Sequence, residues 1–159
     1  MKSKFLFCSI GALKMSRVTG VITFLTLGNL LTSCTITQNV TPVKEVKYNE
    51  ICIIKEASVN DDFLQAYARS LTKRGFDVRV LEPIETIKDC PLATTYMAKW
   101  SWDLALYLSF AELKVYQNEK LIGVAAYDSS TGSGNLNKFV IAENKIDELV
   151  KKLFPKSSM

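Results

Sequence analysis

The residue with the clearest chemistry is Cys34. It closes the run Leu31-Thr32-Ser33-Cys34 behind an apolar segment. That order of types is a lipobox, where a bacterial cell attaches diacylglycerol to the cysteine sulfur, removes everything upstream and usually acylates the freed amine. Cys34 then becomes the first residue of the mature protein, and the lipid makes a membrane its partner.

Three further cysteines are present, and Cys8 is lost with the leader. Cys52 and Cys90 remain as an even pair, which in an oxidising periplasm implies one structural disulfide. Closing the loop between them is worth roughly 4 kcal/mol of chain entropy. A metal site is the rival use, but the chain has no histidine, and two lone thiolates do not complete a zinc tetrahedron. Neither a metal nor any other cofactor is expected.

The missing histidine also excludes Ser-His and Cys-His nucleophile activation. Acid-base chemistry would fall to Asp103 with Glu112 or Asp128, yet nothing in the spacing fixes their separation. Asp103 lies among Tyr96, Trp100, Trp102 and Tyr107. These aromatics suit a binding groove, since they supply large rigid contact area. They suit better still a core that covers the sheet, since aromatics are ordinary core material. The loop over residues 129–137 holds Gly132 and Gly134, but lacks the spacing and strand-loop-helix setting of a phosphate cradle. A non-catalytic binding or accessory domain is the leading expectation. A small-ligand carrier with its pocket beneath that loop is the alternative, and an enzyme using Asp103 the third reading.

These residues need a leader, a tether and a domain. Residues 1–33 read as the signal segment, with translation starting at Met1 or Met15, Arg17 as the positive flank and an apolar core over residues 18–31. The formal net charge of +4 is a property of this leader. Lys2, Lys4, Lys14 and Arg17 precede Cys34, whereas all 16 acidic residues follow it. The mature chain is therefore neutral, and no basic patch argues for nucleic acid. Residues 34–48 read as the lipidated cysteine and a polar tether, about 20 Å long as coil and at most about 50 Å at full stretch.

A single domain is expected over residues 49–155, followed by a tail at 156–159. Residues 51–55 have the pattern of a strand buried on both faces. Ser58 or Asn60 caps a helix with an apolar face at Phe63, Leu64, Tyr67, Ala68 and Leu71, which Gly75 ends. Residues 77–81 alternate as a second strand, so strand-helix-strand implies a parallel pair. Residues 85–99 look like an irregular crossing. Residues 102–116 read as a strand with a bulge near residues 110–112, paired as a hairpin with residues 121–127. Ala142, Ile146, Leu149, Val150 and Leu153 define a final amphipathic helix, stopped by Pro155. The fold class is α/β (α+β), a β-α-β unit, a β-hairpin and a helix, with helices packed on a mixed sheet.

The run Cys90-Pro-Leu-Ala-Thr-Thr-Tyr-Met-Ala-Lys-Trp-Ser-Trp-Asp103, with Gly123-Val-Ala-Ala-Tyr-Asp128, Asn137-Lys-Phe139 and Leu153-Phe-Pro155, resembles a family of small proteobacterial lipoproteins of unassigned activity. The resemblance spans nearly the whole mature region. It implies S-diacylglycerol and an N-acyl chain on Cys34. Thr35 stands where bacterial lipoproteins kept at the inner membrane carry aspartate, so it implies an outer-membrane protein facing the periplasm. An envelope protein is the expected partner.

Overall fold

The computed structural model describes residues 36–82, 84–131 and 135–155. The signal segment, Cys34 and the tail at 156–159 lie outside the described residues. In chain order the elements are β1 (Thr37–Thr41), β2 (Glu50–Ile54), α1 (Asp61–Thr72), β3 (Asp77–Leu81), β4 (Leu92–Asp103), β5 (Ala105–Gln117), β6 (Lys120–Asp128) and α2 (Ala142–Leu153). Two short 3-10 turns, Ile87–Asp89 and Leu136–Lys138, lie in the connections. The six strands form one mixed sheet in the order β1-β6-β5-β4-β2-β3, parallel where β2 meets β3 and β4 and antiparallel elsewhere. This is the expected α+β architecture of a mixed sheet with two helices packed on it.

The helices form where their termini are satisfied. Asn60 is the N-cap of α1, its Oδ1 accepting from the Phe63 N–H at 3.0 Å, and Asp61 and Asp62 face the positive end of the helix dipole. Beyond α1, Gly75 takes φ 91°, a left-handed value that suits glycine. The apolar stripes of the helices, Phe63, Tyr67 and Leu71 on α1 and Ile146, Leu149 and Leu153 on α2, enter one core with Ile51, Ile53, Tyr96, Leu113, Val115 and Tyr127 of the sheet. Charged pairs stitch the two helices together, Arg69 with Glu143 at 3.2 Å and Lys73 with Asp147 at 3.8 Å.

Side chains alternate along a strand, so Cys52, between Ile51 and Ile53, points to the opposite face of β2. There it meets Leu81, Cys90 and Ala93 in a second small cluster. The Cys52 and Cys90 sulfurs are bonded to each other, with Cα atoms 6.2 Å apart. The strand is thus buried on both faces, as its continuous apolar run implied.

Three expectations need correction. The stretch read as a tether belongs to the domain: Thr37 pairs with Asp128 and Thr41 with Val124. Val43 is buried, and its N–H donates to the Leu153 carbonyl at 2.8 Å. Threonine and valine fit a half-buried edge strand, and Pro42 falls just past the last ladder position, where a missing N–H costs nothing. Gly123 of β6 makes the crossing of this segment possible, since a Cβ there would stand 2.5 Å from Val43 Cγ2.

The supposed irregular crossing is mostly β4. Leu92, Ala93 and Thr94 are consecutive and all buried, because helices cover one face of the strand and the disulfide cluster the other. That double cover erases the alternation a sequence reader looks for. The bulge lies slightly earlier than expected: Lys99 pairs with Phe110 but Trp100 with Leu108, leaving Ser109 as the extra residue. Its Oγ donates to the Lys99 carbonyl at 3.1 Å.

Candidate functional site

The strands β4 and β5 outrun the rest of the sheet. The last position of β6, Asp128, pairs with Phe110, and Phe110 pairs with Lys99. Beyond that level Ser129 still donates its N–H to the Ser109 carbonyl at 2.8 Å, and among the described residues only β4 and β5 continue as strands, in a two-stranded arm over residues 100–108. The chain reverses at Leu104, which adopts φ 62°. Trp102 and Leu106 are cross-strand partners and share a face with Trp100 and Leu108. Trp100 and Leu108 are covered by the core, whereas Trp102 is 74% exposed, Leu104 84% and Leu106 68%. The apolar face of the hairpin therefore continues past the point where its cover ends.

The segment leading into α2 flanks the arm. Trp100, Leu106, Phe139 and Ile141 line a shallow groove of about 410 Å³ between them, and Ile141 is itself largely exposed. Lys138 fastens this segment to the arm. Its side chain is buried, its ammonium pairs with the Asp103 carboxylate, and it lies 5.1 Å from the Tyr107 ring centroid and 5.3 Å from that of Phe139. Aromatic faces and a carboxylate together compensate a cation withdrawn from water. Tyr107 meets Phe139 edge-on, with centroids 5.6 Å apart.

The aromatic block seen in the sequence is thus divided. Tyr96 is core: it stacks on Phe63 at 5.4 Å, and its hydroxyl accepts from the Glu56 N–H at 3.2 Å. Burial pushes its phenol above the ordinary value. Trp100 meets Phe63 edge-on at 6.1 Å, and Tyr107 is buried against Lys138. Of the five residues singled out as a binding surface, Trp102 is open to solvent and Asp103 about half so. The exposed partners that the sequence did not single out are Leu104, Leu106 and Ile141. Their signal is composition, since residues 100–108 carry one charge, Asp103.

Other candidate chemistry is accounted for locally. Tyr67 and Thr94 hydroxyls lie 2.6 Å apart in the core. The Thr94 hydroxyl donates to the Lys114 carbonyl at 2.8 Å, so Tyr67 is the donor of the pair. Burial raises the Tyr67 phenol far above its usual range. Glu50, Cys52 and Cys90 place donor atoms within 4.8 Å of one another. Disulfide sulfurs are not thiolates, and Glu50 pairs with Arg79 at 2.7 Å, so this donor set does not fit a metal. The loop proposed to cover a ligand has residues 132–134 outside the described residues. Its described beginning is a local turn, Ser130 Oγ donating to Asp128 Oδ1 at 2.6 Å.

No protein-family model and no curated protein matches this chain. Among solved structures it is similar in fold to a PelC variant, a dodecamer from Paraburkholderia phytofirmans. The TM-score is 0.53 at 12% identity, over 79% of this chain and all of that one. A second PelC dodecamer from the same organism gives 0.51 at 11% identity, over 76% and 98%. At such identity the likeness is one of fold. A minor lipoprotein from Acinetobacter baumannii gives a TM-score of 0.29 at 12% identity, over 67% of this chain and 89% of that one, too low to bear on fold or role. The resemblance to small lipoproteins therefore rests on the sequence motifs.

Proposed function

We propose that this protein is a lipid-anchored envelope lipoprotein of the outer membrane, facing the periplasm, and that it works by binding rather than by catalysis. Cys34 carries the lipid, and the domain serves as an accessory to another envelope component through the end of the β4–β5 arm. The observation that carries the binding reading is the exposed apolar face at Trp102, Leu104 and Leu106 on the β4–β5 hairpin. Monomeric domains seldom leave such a contiguous patch without a use. The anchoring reading is supported by the lipobox and by its closeness to the fold, since β1 starts three residues after Cys34. Asp103, the residue on which an enzyme reading would rest, is engaged by Lys138.

The test is metabolic labelling with palmitate in the native host, combined with complementation of a deletion strain. Wild-type protein should incorporate label and Cys34→Ala should not, and Cys34→Ala should fail to complement. Leu106→Ser, at an exposed position of the arm, should fold and carry label but fail to complement at equal protein level. Unlabelled wild-type protein contradicts the anchor; full complementation by folded, labelled Leu106→Ser contradicts the arm as the binding surface.

A further inference from the structure

We propose that the component covering the arm is the lipid surface itself: Trp102, Leu104 and Leu106 form a second membrane contact, inserted in the leaflet that holds the Cys34 lipid. This deepens the reading above and rests on lipidation of Cys34. The argument begins with direction. β1 is antiparallel to β6, with Thr37 opposite Asp128, and Asp128 is opposite Phe110. The chain upstream of Thr37 therefore leaves the sheet at the end from which the arm projects.

Length comes next. From Cys34 to Thr37 the chain reaches at most about 10 Å. From Lys99, level with Phe110, the arm continues five residues to Leu104, about 16 Å at ordinary strand rise. Sideways, β1 is separated from β5 and β4 by two and three strand positions, about 10–15 Å. With the strands upright on the membrane, a bilayer near enough to accept the lipid on Cys34 has already met the end of the arm.

Chemistry agrees with this placement. Tryptophan favours the headgroup level and leucine the acyl boundary beneath it. The single charge of the arm, Asp103, is paired with Lys138, so a shallow insertion does not bring a lone carboxylate into the interface. Leu104 occupies a left-handed position where glycine or asparagine would fold more easily. A leucine at that position, 84% exposed, adds nothing to the core and is free to meet a surface.

Trp100 and Trp102 are the two tryptophans of the chain, which makes fluorescence the direct probe. Mature lipidated protein is reconstituted in vesicles of phosphatidylethanolamine and phosphatidylglycerol, with or without phosphatidylcholine brominated high on the acyl chain. Wild type is compared with Trp102→Phe, a change at an exposed site that the fold tolerates. An intact mass of each sample reports the lipid on Cys34.

The expected result is that bromolipid quenches wild type roughly twofold more than Trp102→Phe, because an interfacial indole sits within quencher reach. Equal quenching in a lipidated sample overturns the proposal. In that case a Trp102 contribution that stays blue-shifted points to a second copy of this chain, as the PelC dodecamers make worth checking. A solvent-like one leaves the arm for a protein partner absent from the vesicles. A mass without lipid removes the anchor, and this inference with it, whatever the fluorescence.

Discussion

Reduction of the Cys52–Cys90 bond is expected to cost the domain about 4 kcal/mol. The bond closes a loop of sequence separation 38, and the chain entropy released to the unfolded state by opening a loop of that length is about 4 kcal/mol at 25 °C. Native contacts change little on reduction, since both sulfurs stay within the cluster formed with Leu81 and Ala93. Replacing both cysteines by alanine adds a small cavity and about 1 kcal/mol more. For a domain of this size the shift in Tm is a fall of roughly 12–20 °C. Detergent-extracted protein is unfolded in urea and followed by far-ultraviolet circular dichroism. Oxidised protein is compared with protein reduced while unfolded and then refolded under reductant, which is needed because neither cysteine is accessible in the fold. A difference under about 1 kcal/mol would refute the reasoning, for it would mean that the unfolded chain already keeps β2 and the start of β4 together.

Other substitutions separate core from surface. Trp100→Ala should destabilise by about 1–3 kcal/mol, because the indole packs edge-on against Phe63, whereas Trp102→Ala should stay within about 0.5 kcal/mol in urea unfolding. Gly123→Ala sets a methyl 2.5 Å from Val43 Cγ2 and 3.1 Å from Leu153 Cδ1. It should cost about 1–3 kcal/mol and speed hydrogen exchange at the Val43 amide, which is bonded to Leu153. Hydrogen bonds from Lys145 and then Lys152 hold the Glu148 carboxyl down to about 2. A depressed carboxyl stabilises fully above its unfolded value near 4.5 and loses that contribution as pH falls towards 2. With the side chain 39% exposed, the effect should stay under about 1 kcal/mol; it is measured as the extra acid sensitivity of wild type over Glu148→Gln.

What the sequence made legible was local. Asn60, Asp61 and Asp62 announce the start of α1, Gly75 the turn after it and Pro155 the limit of α2, because each acts through its own backbone. The β2–β3 pair follows from one short crossover, and the cysteine pair from counting. What was missed depends on distant partners. β1 has no hydrophobic run of its own and becomes a strand because residues 124–128 offer it an edge. β4 hides its alternation under cover on both faces. At the arm, Leu106 and Leu108 lie two residues apart and so share a face of β5, but only the packed structure shows that cover ends between them. The same cause divided the aromatic block, since Tyr96 meets α1 and Trp102 lies beyond it.

The central claim is that Cys34 is the lipidated first residue of a membrane-bound, disulfide-closed domain. An intact mass under non-reducing conditions, taken on protein extracted with detergent from membranes of the native host, tests it most directly. The account predicts the mass of residues 34–159 plus diacylglycerol and an acyl chain, lighter by two hydrogens until the bond is reduced. A mass that retains the leader, or an unlipidated chain with free thiols, contradicts it.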